Sequence, residues 1–483
     1  MKRSIFFTSL LIPFFSFAQS AASTGKPGYE IRVTFKPFQN QYIFLGHYSG
    51  KQLPIIDSVR VNDKSEGVFK GTKKLGAGVY LVGYPNKMGF FEFLIGNNQH
   101  FSIKVDSSNL QNVVFTNSPD NDLFLSYQRS MSANGRRIDS AQRLLPLAKN
   151  ARDSAVLNDV MIKTNKAIRD YRFDIIKKYP DGMLSFLLKL LQEPEVPPTS
   201  KQPGGKYDSA FAYHYYKNHF WDGINFYDDR LVRTPIFENK LDKYFEQLVY
   251  PHPDSVNKEI DWMLGYASVN EEMQKFLLTK FVNRYLNQKY MWEDAVFVHL
   301  FEKYFSQKTY PWLTEKGVKT IQDRAYSLMA NLVGSPAADI DLPDTSGKNI
   351  TLYSLTSPYT VVVIWDPTCS HCKEIVPKVD SLYRNKWKAE GVKVFAMAKE
   401  TDGQKNDWIN FIGQNHLQEW FNVYYSKSDD KARVDAGIPG YSQLYDIQTF
   451  PTLYLLDKDK RIIAKKLTFE QIDQVLQEKI KHQ

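Results

Sequence analysis

The chain has 483 residues, 43% of them hydrophobic and 24% charged, with a formal net charge of +9. That length exceeds what one hydrophobic core supports and predicts several domains of ordinary globular composition. The basic residues are scattered among acids rather than gathered in a stripe, which argues against nucleic-acid binding. Aromatics make up 14% of the chain and read as core packing.

At the start, Lys2 and Arg3 precede an apolar run from Ile5 to Phe17, which ends in Ser16-Phe17-Ala18 before Gln19. A positive segment, an apolar stretch and small residues before a cleavage point describe a secretory signal peptide over residues 1–18. The run is shorter than the ~20 residues a membrane span needs. No cysteine lies near Ala18 to take a lipid, and no later stretch is apolar enough to cross a bilayer. The expectation is a mature protein in the periplasm or cell envelope, with no stable membrane span after signal cleavage.

Residues 28–116 predict a β-rich domain. Tyr29–Phe35, Val79–Tyr84 and His100–Val105 read as alternating strands, and turn signals fall at Gly50, Asn62-Asp63, Gly76 and Asn97-Asn98. Short strands at this spacing suggest an antiparallel sandwich or barrel. The period changes near Asn121, and residues 119–332 read as an all-α region. Its apolar clusters are Leu144, Leu145, Leu147 and Ala148; Met183–Leu191; Phe276, Leu277, Phe281 and Tyr285; then Val296, Leu300 and Tyr304. Pro194–Gly205 reads as an exposed loop. Gly334-Ser335-Pro336 marks the last boundary. Over 334–483, buried strands at Thr360–Trp365 and Val392–Met397 alternate with helical stretches, predicting an α/β domain with a mixed sheet. A hairpin, Thr452–Leu456 with Arg461–Lys465, and a helix capped by Thr468 close the chain.

The two cysteines of the whole chain are Cys369 and Cys372. A disulfide that staples a fold closes a long loop, whereas this pair closes a tiny one, so chemistry explains it better than architecture. The motif Trp365-Asp366-Pro367-Thr368-Cys369-Ser370-His371-Cys372 follows a β-branched strand and opens a predicted helix. Unpaired N–H groups and the positive end of the helix dipole stabilise a thiolate there. The second cysteine sits about one turn on, within reach of the first. His371, if protonated, adds to the stabilisation. A zinc site needs four ligands and there are no further cysteines, which disfavours the alternative of a site completed by His371 and a distant histidine; His214 and His219 are not one helical turn apart. No metal and no cofactor beyond the redox-active Cys369–Cys372 pair are expected.

With those residues in place, the C-terminal third resembles the TlpA/ResA branch of the thioredoxin superfamily, within the wider AhpC/TSA–thioredoxin group. The resemblance runs from Gly334-Ser335-Pro336-Ala337-Ala338-Asp339-Ile340-Asp341-Leu342 through Asp344, Gly347, Ile350-Thr351-Leu352 and the Trp-x-x-x-Cys-x-x-Cys site. It closes at Tyr445-Asp446-Ile447-Gln448-Thr449-Phe450-Pro451-Thr452. It implies a thioredoxin fold and thiol–disulfide oxidoreductase activity, with Cys369 as nucleophile, Cys372 as resolving cysteine and Pro451, after Phe450, as a cis-proline facing them. Trp365, Ser370 and His371 would tune the pair. The implied partners are a protein disulfide as substrate and a membrane electron donor; His371 pulls instead toward an oxidant. Two departures stand out: Val363 where thioredoxin itself has a buried aspartate, and Ile375 where several members have a glutamate. Glu374 and Asp366 are the remaining candidates for proton transfer, although Glu374 also reads as a solvated helix residue and Asp366 as an exposed turn residue. Upstream, the chain looks similar to envelope proteins with a β-rich domain and a helical region. This leaves a rival reading as a binding or scaffold protein with an accessory redox domain. A thiol peroxidase is disfavoured, because Pro367-Thr368-Cys369 is too compressed for the Pro-x-x-x-Thr-x-x-Cys arrangement.

Overall fold

The computed structural model describes residues 28–401 and 405–482. The signal-peptide reading of residues 1–18 lies outside the described residues. The described chain divides into two compact units, one running to Glu195 and including Arg230–Asn239, the other comprising Val196–Asp229 and Lys240 onward.

The first unit is built on eight strands: β1 (Tyr29–Lys36), β2 (Tyr42–His47), β3 (Ile55–Arg60), β4 (Glu66–Gly71), β5 (Gly78–Gly83), β6 (Phe90–Ile95), β7 (His100–Asp106) and β8 (Val114–Thr116). They form two four-stranded sheets, ordered β4-β1-β7-β8 and β3-β2-β5-β6. Pairing is antiparallel except between β1 and β7, which run parallel. The alternation read in sequence is the burial pattern of β1 and β7, whereas β5, also expected to alternate, is buried on both faces because helices cover its second side. Ile31, Val33 and Phe35 from β1 meet Ile43, Leu45, Phe93, Phe101 and Ile103 in one core, as expected of a sandwich.

Three helices complete this unit: α1 (Pro119–Leu144), α2 (Ala151–Lys178) and α3 (Met183–Leu190). Phe124, Tyr127, Ile175, Leu184 and Leu187 pack with Val79 and Leu94 of the β5–β6 sheet. Asn121 pins α1 to this sheet, its Oδ1 accepting from the Leu94 N–H at 2.6 Å and its Nδ2 donating to the Leu94 carbonyl at 2.9 Å. The apolar cluster at Leu144–Leu147 is no core: Leu144 and Leu147 are exposed where α1 runs into a 3₁₀ turn.

The stretch read in sequence as one helical domain over 119–332 is thus shared between the two units. Its later helices are α4 (Ser209–His219), α5 (Phe237–Gln247), α6 (Pro253–Ala267), α7 (Glu271–Leu286), α8 (Glu293–Leu300, continued by a π-turn to Phe305) and α9 (Glu315–Met329). Leu277, Phe281 and Tyr285 of α7 and Val296, Leu300 and Tyr304 of α8 and its extension are all buried, so the stripes read in sequence do face a core.

The remainder of the second unit is an α/β domain. After a short β9–β10 hairpin (Asp341–Pro343, Asn349–Thr351) come β11 (Tyr359–Trp365), α10 (Ser370–Leu382), β12 (Lys393–Lys399), α11 (Lys405–Gln414), β13 (Phe421–Tyr425), α12 (Lys427–Asp435) and α13 (Tyr441–Leu444). The hairpin β14 (Thr452–Asp457) and β15 (Ile462–Lys465) follows, then α14 (Phe469–Lys481). The sheet order is β13-β12-β11-β14-β15. The β13–β12–β11 pairings are parallel and the β11–β14–β15 pairings antiparallel, giving the expected mixed sheet. All seven residues of β11 are buried, which explains why this strand reads as an unbroken apolar run rather than an alternating one. Val361, Val363 and Trp365 face one core with α10, α11 and α14; Val362 and Ile364 face the other with Leu342, Leu352, Tyr441 and Tyr454. A capping box at Thr468 starts α14 as its sequence predicts.

Candidate active site

The site grows out of the carboxyl end of β11. Strand residues give way at Asp366, where a backbone turn carries Cys369 N–H to the Asp366 carbonyl at 3.2 Å. The Asp366 side chain organises the same turn: Oδ1 accepts from the Thr368 N–H and from Thr368 Oγ1, each at 2.7 Å. Thr401, just beyond β12, donates its hydroxyl to Oδ2. Asp366 is buried, not the exposed turn residue its place after Trp365 allowed. Both its oxygens have partners, so it acts by shaping the loop that presents Cys369. Thr368 and Thr401 are site residues that sequence reasoning missed. The Asp-x-Thr spacing, a common side-chain turn, signals Thr368, but nothing local to Thr401 does.

Cys369 is the N-cap of α10, the place usually held by a serine, threonine or aspartate oxygen. It is partly exposed, whereas Cys372, in the first turn, is fully buried. Both are free thiols. Burial pushes the Cys372 thiol far up. A backbone hydrogen bond from the Asp366 segment opposes this in part, while the neighbouring Cys369 and the Asp366 charge push the same way as burial. The two sulfurs therefore differ in kind: one reaches solvent at a helix N-terminus, the other is held protonated in the core.

The remaining candidates divide. Trp365 and Cys372 lie in one apolar cluster, with Cys369, Ile375 and Phe450 packed at its edge. The Trp365 ring packs on Phe411, with centroids 4.9 Å apart. The register of β11 and β14 sets Thr452 opposite Ile364, which brings Phe450 and Pro451 alongside the end of β11 from which the cysteine loop springs. The Phe450–Pro451 peptide bond is cis. Ser370 and His371 are exposed on the first turn of α10. Glu374 does not join the site. It is exposed and ion-paired along the helix with Lys378 at 2.7 Å, which lowers its pKa, so it is a solvated carboxylate rather than a proton shuttle for the buried thiol. Val363 is completely buried among apolar side chains, so the position that holds thioredoxin's buried aspartate carries none here.

Elsewhere, among the described residues, no group of three or more histidine, cysteine or acidic side chains is placed to hold a metal ion. His219 is paired with Asp222 at 2.6 Å and His214 lies against the Tyr213 ring. No helix among the described residues is long and apolar enough to cross a membrane.

The mixed five-stranded sheet with a Cys-x-x-Cys pair at the start of the helix after its central strand defines a thioredoxin-like oxidoreductase domain. Residues 333–465 match the AhpC/TSA family. Upstream, residues 29–124 and 159–331 each match a domain of unknown function, DUF4369 and DUF5106. Among curated proteins, the thiol-disulfide oxidoreductase ResA of Bacillus cereus is 27% identical over 148 residues, which are 30% of this chain and 77% of that protein. ResA of Bacillus subtilis is 26% identical over 131 residues, 27% of this chain and 64% of that protein. Among solved structures, a thioredoxin-like protein from Bacteroides caccae matches at 22% identity and a TM-score of 0.44, covering 59% of this chain and 97% of its own. A domain of a possible thiol-disulfide isomerase from Cytophaga hutchinsonii matches at 32% identity and a TM-score of 0.27, covering 31% of this chain and 95% of its own.

Proposed function

We propose that the chain is an exported thiol–disulfide oxidoreductase that reduces protein disulfides through Cys369 and Cys372. The observation that carries this reading is the asymmetry of the pair, a partly exposed thiol at a helix N-cap and a buried one in the next turn. Cys369, deprotonated, attacks one sulfur of a substrate disulfide, and the other substrate sulfur leaves as a thiolate that takes up a proton. Cys372 then gives up its proton and attacks Cys369 Sγ in the mixed disulfide. The second substrate thiol departs, and two electrons have passed from the pair to the substrate. The Cys369–Cys372 disulfide that results is returned to the dithiol by an external dithiol donor, for which the membrane is the expected source. No other cofactor takes part.

Burial gives Cys372 its protection: it stays protonated and unreactive until a mixed disulfide at Cys369 turns the site into an electrophile. Pro451 and Phe450, alongside the end of β11, supply the wall against which a substrate peptide lies. Trp365 keeps the inner sulfur dry. The exposed place of His371 supports the reductase direction, because solvent and salt screen a charge there and weaken its pull toward an oxidant. The N-terminal positive-then-apolar segment supports export to the envelope.

The deciding measurement is the equilibrium potential of the pair, taken by thiol alkylation of the mature protein in graded thiol/disulfide buffers. A value near that of thioredoxin, about −270 mV, is expected; one near about −120 mV makes the protein an oxidant and refutes the reductase direction. The pH dependence gives a second expected result. Reduction consumes one proton for every thiol that stays protonated, and each proton is worth ~30 mV per pH unit for a two-electron couple. Because Cys372 is held protonated, the potential should keep falling by at least ~30 mV per unit through about pH 10. A curve that levels off below that pH would mean that Cys372 ionises and that its burial is incomplete.

A further inference from the structure

Helix α9 carries Arg324 and Ser327, with Asn331 just past its end, at the i, i+3, i+7 spacing that puts three residues on one side of a helix. All three are spent on the thioredoxin-like domain. Arg324 Nη1 donates to Asp446 Oδ1 at 2.6 Å, and Ser327 Oγ lies 3.1 Å from the same oxygen. Asn331 Nδ2 donates to the Leu444 carbonyl at 3.1 Å. The other Arg324 nitrogens are fixed on the α7 side, Nη2 to Gln288 Oε1 at 2.5 Å and Nε to the Leu286 carbonyl at 3.3 Å. The guanidinium is therefore a bolt with both ends seated.

Asp446 stands in the segment that leads to Phe450 and Pro451. It is buried, and its backbone is left-handed at φ 44°, a region that aspartate enters more readily than most non-glycine residues. Its carboxylate is held on both oxygens. Arg324 and Gln448 donate to Oδ1, and Lys466, itself left-handed at φ 57°, donates to Oδ2. Burial alone would raise this carboxyl. The hydrogen bonds and charges of Arg324 and Lys466 more than offset it and hold the group ionised well below the ordinary carboxylate range. From Ile447 to Pro451 the chain lies outside any helix or strand, so its course is set at its ends: by Asp446 on one side and by β14 on the other.

We propose that Arg324, contributed by the helical region upstream of the thioredoxin-like domain, is a positioning residue for the active site: through Asp446 it fixes the 446–450 segment on which a disulfide-bearing peptide docks beside Cys369. This rests on the dithiol–disulfide exchange reading. It gives the helical region a part in catalysis, since the residue that sets the substrate wall lies outside the thioredoxin fold. A small disulfide, which needs no docking wall, should be indifferent to Arg324.

The test uses the full chain with two probes, a synthetic peptide holding one intramolecular disulfide and the small molecule hydroxyethyl disulfide. Arg324→Gln should raise KM for the peptide about tenfold, with kcat and the hydroxyethyl disulfide rate unchanged. Arg324→Lys, which keeps a cation beside Asp446, should recover most of that loss. If Arg324→Gln does not fold, Asp446→Asn removes the same ion pair from the other side and should give the same KM rise. An unchanged peptide KM in a folded variant overturns the inference, as does an equal slowing of both probes. A wild-type chain that reduces neither probe overturns the exchange reading, and this inference with it.

Discussion

Cys369→Ser is expected to lower reduction of a peptide disulfide by a factor on the order of 10³ or more, because the other thiol of the pair, Cys372, is buried. Cys372→Ser should fail differently. It retains the exposed nucleophile and loses the group that resolves the intermediate, so the protein should accumulate as a mixed disulfide with its substrate. The two variants are compared by non-reducing electrophoresis and mass spectrometry after incubation with the oxidised peptide. A covalent adduct with Cys372→Ser and none with Cys369→Ser assigns the roles. The opposite pattern would mean that the buried thiol attacks first, contrary to its burial and its strongly raised pKa.

The second large effect concerns stability. Lys465 on β15 and Asp294 on α8 form an ion pair in which the two side chains are 1% and 4% exposed. Lys465 Nζ also donates to the Asn331 carbonyl at 2.6 Å and to Asn331 Oδ1 at 2.5 Å. Burial lowers the Lys465 pKa, and Asp294 works against that shift. Removing one partner strands a charge in the core, so Asp294→Ala should cost about 3–5 kcal/mol of unfolding free energy. The double change Asp294→Ala with Lys465→Met removes both charges and should recover most of that loss. Denaturant titration of the single and double variants checks this. Equal losses in both would mean that packing, not charge, holds this contact.

These two regions were unequally legible in the sequence. The cysteine loop is local: a β-branched strand, a turn and a helix start within a few residues, so Cys369, Cys372 and their surroundings could be placed from the motif. Pro451 is distant, and only the resemblance to the TlpA/ResA branch tied it to the cysteines; the antiparallel pairing of β11 with β14 supplies the physical connection. Asp366 was half legible. Its spacing to Thr368 marks a turn, but its burial depends on Thr401, which arrives from the neighbouring strand. Glu374 could be set aside only once its helix face was known, since a carboxylate near a second cysteine reads alike in sequence whether it points inward or out to Lys378. In the β-rich region the alternating strands were plain, whereas the parallel pairing of β1 with β7 was not, because alternation sets which face is buried and says nothing of the partner.

The sequence by itself determined the chemistry of the pair, the buried central strands and the apolar stripes of the later helices, since each is written in residues close along the chain. Tertiary structure alone decided where the polar residues of those helices go. Arg324, Ser327 and Asn331 look like a solvated helix face, and Lys465 like an ordinary strand-end lysine. Their partners, Asp446, Leu444 and Asp294, lie more than a hundred residues away in the chain. A polar side chain is equally content with water or with a buried partner, so its own neighbours in sequence carry no record of which it meets. The division of the helical stretch between two units has the same origin: periodicity shows that a helix has a face to bury, and only the fold shows which core receives it.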